Sequence, residues 1–502
     1  GFQRQHMRIH EFLQHQASKR PYGIALEDWN GDKWTFEREW NCAKAAADLL
    51  KLAGVQRGDR VLLVTENCAA VCAFIYACSL VGAWAVPVNA RQTATELNRI
   101  VTHAAPRIAI FMSNVSEDAK THGASFEVRE VHGLWGTVMM ADLGVSDPVK
   151  DLDVAVMLYT TGTTGTPKGV MLSHGNLVYA GKTSAKTRGM TQDDTVYGAL
   201  PMTHVFGLAS MLMAATFAGA TIRLEARFGV AKLYAALRDG VTILPAVPQM
   251  HAVLMQYTAE QGIASIAGGP LRYVSSGAAP LDPVWKRKAE AFYGIALQNG
   301  YGMTETSAGV CTTKSAFGDP DISVGPPLAG VEIAIDETAT GGGDGIGEVL
   351  TRGPHIMLGY FRNEDETDKV LDAEGWMHTG DLGRIDDAGL LHILGRSKEL
   401  IIRGGFNIYP PEVEAAFNDH PDVIQTAVVG RLTSTGDEEV LAFVQTPSLD
   451  TVSTEVLRAF VEPRLSPYKR PSQIILALSL PAAPTGKLLK HKLIDTFVDQ
   501  LR

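Results

Sequence analysis

Short runs of aliphatic and β-branched residues alternate with helical patterns through the first three-quarters of this sequence. The runs are "RVLLVTE" (60–66), "RIAIFM" (107–112), "VAVMLYT" (154–160), "TVYGALPM" (195–202), "ATIRLE" (220–225), "VTILPAV" (241–247), "LRYVSSG" (271–277) and "IALQNGYG" (295–302). Strands this apolar must be covered on both faces, and helices between them supply the cover. The expectation is therefore doubly wound α/β layers with mainly parallel sheets. From Val324 to Leu394 the texture changes to glycine turns between short strands, "GVEIAID", "GEVLTRG" and "GLLHILG", which predicts a more antiparallel, barrel-like region. After Gly395, helix "PPEVEAAFNDH" and strands "QTAVVG" and "EVLAFVQ" predict a small α+β unit. A chain of 502 residues exceeds one ordinary core. With no repeat or low-complexity linker, the expected domains are 1–395 and 396–502, joined by a short hinge at Gly395–Leu400.

Composition narrows the function classes. A net charge of −10 argues against a general nucleic-acid or anionic-membrane binder. Five cysteines (Cys42, Cys68, Cys72, Cys78 and Cys311) form no C-x-x-C pair, a pattern that suits buried thiols in a reducing cytoplasm. The uncharged stretch Asn67–Asn89 approaches membrane-spanning length, but Gly82 and Pro87 divide it. A helix near 69–81 and a strand near 83–88 account for it without an integral membrane segment. "GFQRQHMRIHEFL" has no apolar signal region, and Met7 follows so soon that residues 1–6 read as an appended remnant.

The stretch "LYTTGTTGTPKGVMLSH" (158–174) looks built for phosphate. It is not a Walker loop: Pro167 separates Gly165 from Lys168, and Gly169 stands where Ser or Thr would bind magnesium. "VML" continues as a strand, and Ser173 has the character of a helix N-cap. A loop between two strands results. Its hydroxyls and glycine N–H groups could wrap a polyphosphate with Lys168 as a point charge; a solvated Thr/Gly turn is the alternative.

Seven further motifs follow in order: "PMTHVFGL" (201–208), "SSGAAPL" (275–281), "NGYGMTET" (299–306), "HTGDLG" (378–383), "LGRSKELI" (394–401), "GGFNIYPPEVE" (404–414) and "PTGKL" (484–488). Together with the loop they resemble the adenylate-forming superfamily of acyl-CoA synthetases, beetle luciferases and peptide-synthetase adenylation domains. The resemblance implies a large N-terminal AMP-binding domain of two doubly wound α/β subdomains plus a distorted β-barrel, and a small mobile C-terminal α+β domain. It implies ATP and Mg²⁺, with coenzyme A as co-substrate. A carboxylate attacks the α-phosphate of ATP, and a thiol then displaces AMP. By the resemblance, Thr160, Thr161, Gly162, Thr163, Thr164, Gly165 and Thr166 wrap the phosphates with Lys168. Tyr301 stacks on adenine between Asn299, Gly300 and Gly302, with Gly277, Ala278 and Ala279 on the other face. Thr304 meets the α-phosphate, Glu305 binds the metal, and Asp381, Ile393 and Arg396 hold the nucleoside. Lys487 is implied as the mobile lysine that neutralises carboxylate and α-phosphate, Lys398 as the hinge, and Arg403, Gly404 and Gly405 as the CoA face. Read without the family, Thr304-Glu305 is a capping pair, Asp381 a turn residue, and Lys487 part of a solvated basic run.

The resemblance places His204, Phe206, Ser210, Met303, Ala308 and Gly309, with Ala278 and Gly300, around the acyl group. No acid stands in "PMTHVFGLAS" to pair a substrate ammonium, which disfavours α-amino acids. No fixed cation is present for a second carboxylate either, so dicarboxylates such as malonate are disfavoured. The expected substrate is a fatty or aromatic monocarboxylic acid. His204 is either a gate or a hydrogen-bonded core histidine. Alternatives are loading of a carrier-protein phosphopantetheine, a non-catalytic nucleotide-binding relative, and a luciferase-like oxidase. The expected assembly is a monomer or homodimer.

Overall fold

The computed structural model describes residues 7–160, 166–277, 281–483 and 486–502. The chain forms two compact units interleaved in sequence. The first comprises Gly1–Pro245, Gly302–Val310 and Gly353–Leu371; the second comprises Ala246–Tyr301, Cys311–Arg352 and Asp372–Arg502.

In the first unit an eight-stranded sheet has a parallel centre and antiparallel edges. Strands Trp84–Asn89, Arg60–Thr65 and Ile108–Phe111 run parallel, and Val154–Thr160 joins Trp84–Asn89 in the same sense. All six residues of Arg60–Thr65 are buried, as a strand covered on both faces requires. One edge is built by Lys168–Ser173, antiparallel to Val154–Thr160, and then by Gly359–Tyr360. The hairpin Val128–Gly133/Gly136–Asp142 forms the other edge and was not foreseen. Ile24–Glu27, Thr221–Leu224, Thr195–Gly198 and Ile243–Pro245 pair in parallel as a second group, in that spatial order.

The uncharged stretch resolves into helix Ala69–Val81, closed by Gly82 in the left-handed region (φ 83°), and strand Trp84–Asn89. Among the described residues no helix is long and apolar enough to cross a membrane. The five cysteines are free thiols, all buried.

In the second unit, Tyr273–Ser276 and Leu297–Tyr301 are parallel, linked by helix Pro283–Tyr293 with Asp282 as N-cap. The glycine-rich region is a four-stranded antiparallel sheet, ordered Glu332–Asp336, Gly347–Arg352, Met377–Ile385, Leu391–Arg396. The tail contains hairpin Ile401–Arg403/Phe406–Ile408, helix Pro410–Asn418 and the sheet Gln425–Leu432, Glu438–Gln445, Gln473–Ala477. Among the described residues, one apolar cluster (with Ile401, Phe417 and Leu457) and another (with Phe443, Leu493 and Phe497) are drawn wholly from 401–501.

Candidate active site

Within the first unit, the expected phosphate loop bridges antiparallel strands Val154–Thr160 and Lys168–Ser173, with Thr160 directly opposite Lys168. Thr161, Gly162, Thr163, Thr164 and Gly165 lie outside the described residues; Thr166 is exposed. The strand after the loop ends where expected. The Ser173 hydroxyl accepts from Asn176 N and the Asn176 side chain accepts from Ser173 N, a reciprocal cap that starts helix His174–Thr187.

Lys168 Nζ lies 3.2 Å from Glu366 Oε2 and 5.2 Å from the centre of the Tyr360 ring. The Tyr360 hydroxyl donates to Glu305 Oε2 at 2.7 Å. One tyrosine therefore touches both the lysine assigned to phosphate and the carboxylate assigned to metal. Backbone pairing sets this up: Leu358 N donates to Met171 O and Phe361 N to Gly169 O, while Met357 N donates to Glu305 O.

Thr304 and Glu305 open a single 3₁₀ turn, Thr304–Thr306. The turn is tightly held: the Thr306 hydroxyl accepts from Met303 N, and Ser307 Oγ donates to His355 O. Ser307 (φ 53°) and Ala308 (φ 89°) are both left-handed, strain of the kind that collects at functional sites. Gly302 is obligatory, since a Cβ there would fall 1.2 Å from Ala308 O. Ala308 is buried, while Met303 and Gly309 are half-buried. Among the described residues no three His, Cys, Asp or Glu side chains converge to hold a metal by themselves. A single carboxylate such as Glu305 fits Mg²⁺, which keeps most of its ligands as water and phosphate oxygens.

Phe206 begins an eight-residue π-helical segment, Phe206–Met213, that carries buried Ser210. Such segments are rare and concentrate at functional sites. His204 is half-buried, with its ring stacked on Phe206 at 5.4 Å and 18°. Its Nδ1 accepts from Phe206 N at 3.3 Å, so the neutral ring carries its proton on Nε2.

Within the second unit, Tyr301, Asp381 and Arg396 meet. Antiparallel pairing puts Asp381 directly across from Arg396, with the register shifting at Leu382/Gly383, a bulge that re-aims side chains. Arg396 Nη1 is 3.8 Å from Asp381 Oδ1, and the Tyr301 hydroxyl donates to Asp381 Oδ2. Burial, reinforced by the Asp381 charge, drives the Tyr301 phenol well above its ordinary value, so it stays a neutral donor. The turn before Asp381 is fixed by Gly380 N donating to Glu348 Oε2, Thr379 Oγ1 to Val349 O and Asp381 N to Thr379 Oγ1. His378 binds Glu348 and Asp372; burial opposes its charge, but the two carboxylates outweigh it and raise its pKa. Asn299 is buried and fixed through Thr313 Oγ1 and Ser323 O, and Ile393 is buried on the strand that ends at Arg396. Ala278 and Ala279 fall outside the described residues; Gly277 and Gly300 are half-buried.

Lys487 is exposed, in a turn where Ala483 N donates to Lys487 O and Gly486 N to Ala483 O. A Cβ on Gly486 would sit 3.3 Å from Gln249 Oε1, so this turn lies beside helix Pro248–Glu260. Lys398 is exposed within the 3₁₀ turn Ser397–Glu399. Arg403 donates to Tyr468 O and Arg470 O, at the base of a separate hairpin. Gly404 (φ 57°) and Gly405 (φ 79°) form its tip, the consecutive positive φ values of a two-residue turn.

A family model described as "AMP-binding enzyme" matches residues 13–361, and one described as "AMP-binding enzyme C-terminal domain" matches 412–487. The chain belongs to the AMP-binding enzyme family. The 2-succinylbenzoate–CoA ligase of Geobacillus kaustophilus is 32% identical, with 96% of each chain covered. The 4-coumarate–CoA ligase 3 of Oryza sativa is 30% identical, covering 93% of this chain and 88% of its own. Among solved structures, the o-succinylbenzoate CoA synthetase MenE of Bacillus subtilis with the acyl-adenylate OSB-AMP aligns with a TM-score of 0.81 at 29% identity, covering 96% of this chain and 97% of its own. ATP-bound MatB of Rhodopseudomonas palustris aligns with a TM-score of 0.81 at 30% identity, covering 99% and 100%. This AMP-binding enzyme is thus an adenylate-forming acid–CoA ligase that uses ATP, Mg²⁺ and CoA.

Sequence reasoning missed Tyr360, Glu366 and Lys490. The first two were invisible because a two-residue strand far along the chain carries Tyr360 to its partners. Lys490 belongs to the basic stretch of the tail with Lys469, Arg470, Lys487 and Lys492, which reads as solvated surface, yet it is mostly buried between Glu414 and Glu399.

Proposed function

We propose that this enzyme is an aryl-CoA synthetase that activates an aromatic rather than a fatty carboxylic acid. The observation that carries this reading is that relatives spanning nearly the whole chain are named for acids bearing an aromatic ring, 2-succinylbenzoate and 4-coumarate. The aromatic face of Phe206, stacked on His204, and the apolar or small side chains of Met303, Ala308 and Gly309 support it.

In the first half-reaction a carboxylate oxygen bonds to the α-phosphorus, and the bond to the leaving pyrophosphate breaks. Magnesium, when bound with the nucleotide, neutralises phosphate charge. Glu305 receives it, Lys168 and the threonine-glycine loop (160–166) hold the terminal phosphates, and Thr304 donates to the α-phosphate. Tyr301 presents its ring to adenine, with Asp381 and Arg396 on the ribose. Lys487 sets a positive charge between carboxylate and α-phosphate. No general base is required, because the nucleophile is already ionised. In the second half-reaction the thiol sulfur of CoA bonds to the acyl carbon, the bond to AMP breaks, and the thiol proton passes to solvent. Rotation of 396–502 about Lys398 exchanges Lys487 for the Arg403-Gly404-Gly405 face. The tail's own apolar clusters support its moving as a body.

The test is pyrophosphate release with ATP, Mg²⁺ and CoA across acetate, octanoate, palmitate, benzoate, cinnamate, 4-coumarate, 2-succinylbenzoate and malonate. The aromatic monocarboxylates are expected to exceed the alkyl acids by about tenfold or more in kcat/KM. An alkyl acid at the head of the panel overturns the aryl assignment, and 2-succinylbenzoate at the head overturns the expectation that dicarboxylates are disfavoured.

A further inference from the structure

We infer that Tyr360 is a positioning residue that presets the metal-binding carboxylate and the phosphate-binding lysine together, and that Glu366 holds the lysine in place of phosphate until nucleotide arrives. This rests on the roles proposed above for Glu305 and Lys168.

The geometry is specific. The Tyr360 hydroxyl donates to Glu305 Oε2 at 2.7 Å, while its ring face lies 5.2 Å from Lys168 Nζ. The tyrosine is only 5% exposed, and its own backbone is anchored: Tyr360 N donates to Thr367 Oγ1 at 2.9 Å, on helix Glu364–Val370. That same helix carries Glu366, 3.2 Å from Lys168. Residues 357–361 are stitched on one side to Glu305 O and on the other to Met171 O and Gly169 O. One short segment thus holds the Glu305 backbone and the strand residues Gly169 and Met171 just after Lys168, and bridges the Glu305 and Lys168 side chains.

Each contact has a consequence. A phenol donating to one carboxylate oxygen fixes the rotamer of Glu305, so less freedom is lost when a metal meets the carboxylate. The ring face favours the ammonium near it without competing for its hydrogen-bond donors. Glu366 is different, since it pairs with Lys168 through the charge that a phosphate needs. Nearby Lys369 lies 2.8 Å from Glu366 Oε1 and gives the carboxylate a second partner once Lys168 leaves. Arrival of a triphosphate then becomes an exchange of anions at Lys168.

The experiment measures binding of a fluorescent ATP analogue to wild type, Tyr360→Phe, Glu366→Gln and Glu305→Gln, each with Mg²⁺ and with EDTA. Tyr360→Phe keeps the ring and removes the hydroxyl. It is expected to raise the Mg²⁺-dependent Kd about two- to tenfold and to leave the EDTA value unchanged. Glu366→Gln is expected to tighten binding in EDTA, because nucleotide no longer displaces a carboxylate. An unchanged ratio of EDTA to Mg²⁺ affinities in Tyr360→Phe, or weaker binding by Glu366→Gln, overturns the inference. Glu305→Gln separates this from the underlying reading: if it too leaves the ratio unchanged, the metal role of Glu305 falls as well. If it abolishes the Mg²⁺ dependence while Tyr360→Phe does nothing, only the positioning role falls.

Discussion

Lys490→Met breaks a buried charge cluster three residues after Lys487. Lys490 Nζ lies 2.8 Å from Glu414 Oε2, 3.5 Å from Glu399 Oε2 and 3.2 Å from Val428 O. Glu414 Oε2 also accepts from Val428 N at 2.9 Å. Side-chain exposure is 18% for Lys490, 17% for Glu414 and 36% for Glu399. Burial disfavours the ammonium, but the two carboxylates outweigh it and raise its pKa above the ordinary lysine value. Removing the lysine leaves both glutamates facing each other. Breaking a fully buried pair costs about 3–5 kcal/mol; with Glu399 a third exposed, about 2–3 kcal/mol is the expectation here. Through local opening that is about a 30- to 150-fold rise in amide exchange, read by hydrogen–deuterium exchange on peptides covering strand Gln425–Leu432. Adenylate formation should fall with it, because Lys490, three residues after Lys487, ties this part of the tail to Glu399, next to Lys398. Lys490→Arg should restore both. Unchanged exchange and adenylation in Lys490→Met would refute the anchoring.

Glu39 is 1% exposed, and its Oε2 has no hydrogen-bond partner among the described residues. Burial pushes its carboxyl up to about 8, so folding keeps the proton and stability declines as pH rises from the unfolded value near 4.5 toward 8. Glu39→Gln should match wild type near pH 4, below the unfolded value, and melt higher at pH 9, by at most about 5 kcal/mol of linkage; parallel melting curves across this range would contradict the burial argument. Lys487→Ala should cripple adenylate formation yet largely spare thioester formation from supplied acyl-AMP, and equal loss in both would sink the exchange of tail faces. Lys398→Pro should stall multiple-turnover CoA ligation while retaining pyrophosphate release; normal turnover would remove Lys398 as hinge.

The sheets were legible because their strands are covered on both faces, leaving uninterrupted apolar runs such as Val61–Val64. The loop at 161–167 was legible as a strand-to-strand connection because Ser173, not Lys168, carries the helix-capping chemistry. The meeting of Asp381 with Arg396 could not be read in the same way. It depends on an antiparallel register shifted by a bulge, which composition does not encode. Tyr360 reaches Glu305 across 55 residues through a two-residue strand too short for any periodicity. Lys490 misled for a related reason: a lysine in a basic run reads as solvated until its carboxylate partners are placed around it.

The central claim, that an acyl-adenylate forms and then passes its acyl group to CoA, is tested most directly with an aromatic acid whose carboxylate is labelled with ¹⁸O. One labelled oxygen bridges carbon and phosphorus in the adenylate and leaves with AMP when sulfur attacks the acyl carbon. Mass spectrometry should find AMP carrying one ¹⁸O and pyrophosphate carrying none. Unlabelled AMP, or label in orthophosphate with ADP as product, would contradict it.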